Sequence, residues 1–511
     1  MVPARILMLC CAFLAITGCK EKQSGPVTVA FPTSAEALYA KGLQLTPPAR
    51  YLRGATESGL VGLDRNGEVI PAIADRWIVT EDGMSYIFRL RDGKWPDGSA
   101  ITARSVRQSL RQTLRALTGT ELGLDTAQIS QVRAMAERVI EIRLSSPMPD
   151  FLQLLAQPEF AIRRESGSMG LMTMTRKDDE AVLLLRPPEE LGLPLDGKWA
   201  QHNRPVHIVP LTAKDAIERF KNGAVDLVVD GRLGSLPLTD MGPLARGTLQ
   251  LDPALGLFGL QIRHEKGFLA EPEGREALSL ALDRNRLREA LNLAGWIPTT
   301  RIVAAGLQGD LGTIGERWAD ISMEERREEA ALRVAAWKAS VRSELDRTEA
   351  EVSADMAKED KENTPLQLRM TVFLPEGPGY DMLLDALGSQ YAEIGITLVR
   401  APDAQAADMV LVDNVARYAG ARWFLNQFNC RLKRGLCSAE ADQRVAEAMT
   451  ATDSGERSAL LTEAEAELTS ANAYIPLGSP IRWSLVRGRQ EGFAVNRWAF
   501  HPLPELATLP N

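Results

Sequence analysis

Few side chains in this chain of 511 residues suit covalent or metal chemistry: it holds 5 Cys and 4 His, the latter at His202, His207, His264 and His501. Cys430 and Cys437 bound the stretch CRLKRGLC, with no histidine near them in sequence. A zinc site needs more ligands than this pair supplies, so a disulfide is expected, its small loop contributing roughly 2–3 kcal/mol through loop-closure entropy. No G-x-S-x-G elbow and no H-E-x-x-H pair occurs. A secreted hydrolase or metalloenzyme would lack its usual residues, and no catalytic residue, metal or cofactor is assigned.

The other cysteines lie at the amino end. In residues 1–19, MVPARILMLCCAFLAITGC, Arg5 precedes an apolar run from Ile6 to Ile16, and small residues precede Cys19. That run is too short to span a bilayer and has the build of a signal peptide. ITGC resembles the bacterial lipobox, so cleavage after Gly18 and lipidation of Cys19 are expected, with residues 20–25 as a tether. The mature chain then sits on the periplasmic side of a bacterial membrane, held by acyl chains. Export also favours oxidation of Cys430 and Cys437. A net charge of -8 argues against a nucleic-acid partner, and the length predicts two or three lobes.

The chain supplies these residues with a mixed set of elements. VTVAF at 27–31 reads as a strand, and Asn66-Gly67 and Asp82-Gly83 mark hairpins, the second leading into Tyr86, Phe88 and Leu90 at period two. In DGKWPDGSAITARSV, two Asp-Gly turns flank the stiff Trp95-Pro96 step, and Thr102 caps a helix carrying Val106, Leu110, Leu114 and Leu117. Arg104, Arg107, Arg111 and Arg115 line its far face, which reads as solvated. Residues 206–231 spell strand, helix and strand, a βαβ unit, and residues 271–295 read as one helix. Ser322 and Glu325 form a capping box that opens a long charged helix over about 322–358, with Val334, Trp337, Val341, Leu345, Val352 and Met356 at helical spacing. Strands follow at 366–374, ITLVR and 408–412, then one helix from Ala439 to about Thr469, and a β-like end.

Taken in order, IADRWIVTEDGMSYIFRLRDGKWPDGSAITARSV, FKNGAVDLV, REALSLALDR and YAEIGITLV resemble the extracytoplasmic solute-binding proteins of ABC transporters. The likeness is to the family, family 5, with oligopeptide-, dipeptide- and nickel-binding members. It implies an α/β, periplasmic-binding-protein-like two-lobe fold with an additional β-rich subdomain at about 55–160. The first lobe would cover 26–261, the second 262–475, and residues 476–511 would return to the first. The resemblance further implies a protein that captures a peptide or peptide-like solute between its lobes and delivers it to a permease, and a monomer is the default expectation.

The chain departs from the family near CRLKRGLC. Relatives hold a ligand ammonium with an aspartate in a loop resembling D-PDNFL, and here DNVARYAGARWFLNQFNC has no acid in AGARWFL. Asp413 or Asp408 stands nearby instead, while Arg417 and Arg422 favour a carboxylate or phosphate. Tyr418 and Trp423 are placed to stack on a ligand or to join the core. Asp413, Asn414, Arg417, Tyr418, Arg422 and Trp423 are therefore the candidate ligand residues. A lipid-anchored scaffold or chaperone that keeps the fold without a transport ligand is the competing reading.

Overall fold

The structure, a computed structural model, describes residues 25–194, 197–240, 247–352 and 366–509. The expected signal peptide, Cys19, most of the tether and the helix continuation over 353–358 lie outside these residues.

The first lobe is built on a seven-stranded mixed sheet in the order Leu249–Leu251, Arg482–Val486, Leu227–Arg232, Val27–Pro32, Val206–Leu211, Glu180–Leu185, Met172–Lys177. Val27–Pro32 pairs in parallel with both Val206–Leu211 and Leu227–Arg232. The amino-terminal strand thus separates the two strands that the sequence presents as one βαβ unit. The second lobe surrounds a five-stranded sheet in the order Ile396–Arg400, Leu368–Phe373, Met409–Val415, Gly256–Ile262, Tyr474–Gly478.

Gly256–Ile262 and Tyr474–Gly478 both belong to this second sheet, so the chain crosses between lobes at 252–255 and again at 479–481. The sequence placed those crossings at 261/262 and 475/476. Both strands are apolar and buried, and such a run satisfies either sheet equally well until its partners are known.

The β-rich subdomain is a four-stranded antiparallel sheet, Ala74–Val79, Ser85–Leu90, Val139–Leu144 and Ile129–Ala136, in the order 74–79, 85–90, 139–144, 129–136. Its corner follows the turn chemistry. Trp95 N–H donates to Ser99 O at 2.8 Å, and the Trp95 ring is buried in the subdomain's apolar core. Thr102 Oγ1 accepts from Ser105 N–H at 3.2 Å, and Thr102 N–H donates to Ser105 Oγ at 3.1 Å, a reciprocal cap. Arg104, Arg111 and Arg115 are exposed.

Two stretches expected as single helices are each two. Residues 271–295 hold Pro272–Leu280 and Arg284–Ala290, because Asp283 accepts from the amides of Asn285 and Arg286 and starts a new helix. Likewise Asp453 caps Ser454–Ser470 and separates it from Ala439–Ala448. An aspartate that satisfies orphan amides competes with helix continuation, and apolar periodicity does not register it. The long helix runs Met323–Val352, with Ser322 and Glu325 capping it as expected. Val334 is buried and Leu345 is exposed, so the helix packs on the lobe at Val334 and has left it by Leu345. Cys430 and Cys437 are bonded, with Cα atoms 5.2 Å apart.

Candidate ligand site

Charged side chains from both lobes and the subdomain converge where the three meet. Strand Met409–Val415 brings Asp413 against first-lobe strand Arg482–Val486, where Arg482 Nη1 donates to Asp413 Oδ1 at 2.7 Å and Nη2 to the Asp413 carbonyl at 3.1 Å. The Tyr380 phenol, from helix Pro378–Ala392, lies beside the same carboxylate. Burial first, and then Asp413, raise its pKa. In the turn after that strand, Arg417 donates to Glu159 of the subdomain at 2.8 and 3.3 Å, and Gln157 Nε2 returns a bond to the Arg417 carbonyl at 2.9 Å. Glu159 is only 1% exposed, so Arg417 is the counter-charge that keeps a buried carboxylate tolerable.

From the first lobe, strand Leu227–Arg232 contributes Asp230 and Arg232, 4.0 Å apart. Burial opposes the Arg232 charge, but Asp230 and Asp413 outweigh it and its pKa is raised. Helix Pro47–Thr56 contributes Arg50, a half-buried side chain whose Nε is buried without a hydrogen-bond partner.

The lobes also touch backbone to backbone. A Cβ built on Gly379 would lie 1.9 Å from the carbonyl oxygen of Leu233, which opens the first-lobe turn Leu233–Thr239. Only glycine permits this approach.

The six candidate residues divide. Asp413 and Arg417 face the junction, each with a protein partner. Asn414 follows Asp413 on an extended strand, so its side chain leaves by the opposite face of the sheet. Tyr418, Arg422 and Trp423 pack against the subdomain, and Tyr418 and Arg422 also line a pocket there with Gln128, Met148 and Asp150. Tyr418 Oη donates to Asp125 Oδ1 at 2.9 Å, Arg422 Nη2 donates to the Asp125 carbonyl at 2.7 Å, and Trp423 meets Phe424 edge-on. The reason is that the apolar interior of the subdomain, including Trp95 and Phe151, continues without a break into Trp423, Phe424 and Leu425 of the second lobe. Sequence reasoning missed Arg50, Glu159, Arg232, Tyr380 and Arg482. Arg50 sits in TPPARYLRGA, which reads as an ordinary amphipathic helix, and no local signal sets it apart.

Two sheet-centred lobes joined by a double crossing define the periplasmic-binding-protein architecture. The solved murein tripeptide binding protein MppA of Escherichia coli has this fold, at TM-score 0.75 and 19% identity over 96% of this chain and 99% of that one. The Haemophilus influenzae OppA complex with RPPGFSPFR follows at TM-score 0.74 and 17% identity, covering 96% and 99%. The unliganded open form of MppA matches less well, at TM-score 0.60 with 18% identity over 95% and 96%. In sequence, residues 68–182 match the middle segment of the bacterial extracellular solute-binding proteins, family 5. The periplasmic oligopeptide-binding protein OppA of Escherichia coli is 25% identical over 312 residues, 53% of this chain and 55% of that protein. The chain thus spans about half the length of such curated relatives, and the family likeness in sequence is carried by residues 68–182.

Proposed function

We propose that the protein is an exported, lipid-anchored solute receptor that closes its two lobes on a peptide or peptide-like solute and presents it to an ABC-transporter permease. The observation that carries this reading is the double crossing between two sheet-centred lobes, where Arg232 and Arg482 of one lobe meet Asp413 of the other. A solute that touches both lobes favours the closed form by its differential affinity for that form. The better match to the other MppA structure than to its open form supports a closed arrangement here.

One observation favours the competing scaffold reading. The subdomain and the second lobe are joined directly, by Arg417–Glu159 and Tyr418–Asp125. The two readings part on one experiment. Purified protein is analysed for a small molecule carried through purification, then stripped by unfolding and refolding, and small-angle scattering is recorded with and without that molecule. A receptor carries a solute and contracts when it is restored. A scaffold carries none and scatters identically in all conditions. Stabilisation of about 2.7 kcal/mol is expected at a solute concentration 100 times its dissociation constant.

Anchoring is tested separately. Cys19→Ser is expected to move the protein from the membrane to the soluble fraction, and persistence in the membrane would refute the lipid anchor. No helix among the described residues is long and apolar enough to cross a membrane.

A further inference from the structure

We propose that the pocket between the subdomain and the second lobe, lined by Asp150 and Arg422, is a ligand site of its own and takes a small zwitterion, an α-amino acid. Such a site is separate from the lobe crossing and stands whether or not the lobes close on a solute.

Both bodies build its walls. The subdomain supplies Gln128 and the turn 147–150, the second lobe supplies Tyr418 and Arg422, and helices Ala439–Ala448 and Ser454–Ser470 close it with Ala448 and Leu461. Its free space is about 470 Å³, part of it open to solvent, which suits a small molecule and not an extended peptide. The exposed lining is mostly apolar, so the few polar groups decide what enters.

The hydrogen bonds of those groups are incomplete. Among the described residues nothing donates to the Asp150 carboxylate, although its Oδ2 lies against the loop of Arg422, 3.1 Å from where a Cβ on Gly420 would stand. Gln128, 4% exposed, donates from Nε2 to Ser146 Oγ at 2.6 Å, and its Oε1 is buried without a partner. Arg422, 6% exposed, donates from Nε to Tyr418 Oη at 3.3 Å and from Nη2 to the Asp125 carbonyl at 2.7 Å and Met148 Sδ at 3.3 Å. Its Nη1 has no protein acceptor among the described residues.

Asp150 and Arg422 attract one another and yet form no ion pair. The attraction lowers the Asp150 pKa, but burial outweighs it and raises the value to about 6, so the carboxyl stays ionised at neutral pH. Arg422 also acts on Asp125, whose carboxyl burial holds at about 7; that group is only partly ionised at neutral pH and does not cancel the guanidinium. Opposite charges held apart on one pocket wall are bridged by a molecule that carries both. Its ammonium donates to Asp150 and Gln128 Oε1, and its carboxylate accepts from Arg422. A simple amine is repelled by Arg422 and by Arg457, which also lines the pocket and is held by the carbonyls of Ala451 and Thr452 at 2.9 and 3.1 Å. A simple acid is repelled by Asp150. Met148, Met449 and Leu461 leave an apolar surface for a short aliphatic side chain.

The test uses the detergent-solubilised full-length chain, stripped as above and titrated calorimetrically at neutral pH with L-alanine and with L-leucine. Saturable binding of at least one is expected. Each amino acid that binds is compared with its one-charge analogues, ethylamine and propanoate for alanine, isoamylamine and isocaproate for leucine. Both analogues are expected to bind more weakly by about tenfold or more, the loss expected for one charge-assisted hydrogen bond. Asp150→Asn should weaken binding of the amino acid by a similar factor, and Met449→Trp, which fills the pocket from a partly exposed position, should abolish it. Arg104→Met on an exposed helix face should leave it unchanged. Without ligand, Asp150→Asn should unfold at the wild-type temperature or above, because burial disfavours the charge it removes, so lost binding is not lost folding. No saturable binding of either amino acid, or equal binding of a one-charge analogue, overturns the proposal. So does undiminished binding by Asp150→Asn or by Met449→Trp, which would put the amino acid elsewhere on the molecule.

Discussion

Arg301→Met is expected to destabilise the second lobe by about 3–5 kcal/mol, the range for stranding buried charge. Arg301 donates to Glu465 at 2.8 Å and to Asp310 at 3.0 Å, and the three side chains are 6%, 2% and 1% exposed. The acids also hold backbone: Glu465 accepts from Val303 N–H at 3.0 Å, and Asp310 from the amides of Gly306 and Gly312 at 2.9 and 3.0 Å. The triad thereby ties the long connection before helix Met323–Val352 to helix Ser454–Ser470. Removing the guanidinium leaves two buried carboxylates with like charge and no cation between them. One must then take a proton, so the loss should shrink from pH 8 to pH 4. For the wild type the sign is opposite. Burial tends to raise the Asp310 pKa, but Arg301 and the two amides outweigh it and hold it below the ordinary carboxylate range, so its contribution is present at neutral pH and lost as the pH falls through that depressed value. Denaturant titrations at the two pH values decide the matter. A variant within 1 kcal/mol of wild type at pH 8, by about the spread of surface substitutions, would show the triad to be neutral in effect.

Asp125→Asn is expected to act in the other direction. Asp125 ends helix Glu121–Asp125 of the subdomain and is 1% exposed, accepting from Tyr418 Oη at 2.9 Å and Asn426 Nδ2 at 2.8 Å. Burial raises its pKa to about 7 against the pull of Arg422. Asp150, which borders the same interface, is raised to about 6, again by burial. With a raised folded-state pKa, the native state keeps a proton that the unfolded chain has released. Stability therefore falls as the pH rises from the ordinary aspartate range to about 7 and levels off above it. The asparagine keeps the accepting oxygen and has no charge to desolvate. It should match wild type near pH 5 and exceed it by roughly 2–4 kcal/mol at pH 8, since each pKa unit corresponds to about 1.4 kcal/mol. Parallel pH profiles for variant and wild type would show that Asp125 ionises without penalty. Because this carboxyl joins the subdomain to the second lobe, the same titration reports how firmly those two bodies are held.

Much of the fold was legible because its signals are local. Thr102 with Ser105, and Ser322 with Glu325, announce helix starts within four residues, and the Asp-Gly turns between period-two runs announce hairpins. Cys430 and Cys437 are close enough in the chain that little else can separate them. The site was read less well. Arg422 and Trp423 look like ligand residues in sequence because they are a cation and an aromatic in a loop. Their actual partners, Asp125 and the Phe151 side of the core, lie some 270–300 positions away.

The sequence by itself determined the inventory: which segments are helix or strand, which family they resemble, and that Arg417 and Arg422 stand beside Asp413 in one stretch. Only the tertiary structure decided how those charges are paired. Val27–Pro32 slips between two strands that adjoin in sequence, and the chain crosses between lobes at 252–255 and 479–481. These placements bring Arg417 to Glu159 and Arg482 to Asp413. The physical reason is range. Caps and turns are settled by neighbours a few residues apart, whereas the free energy of a buried charge depends on which distant groups the fold sets within a few ångströms of it.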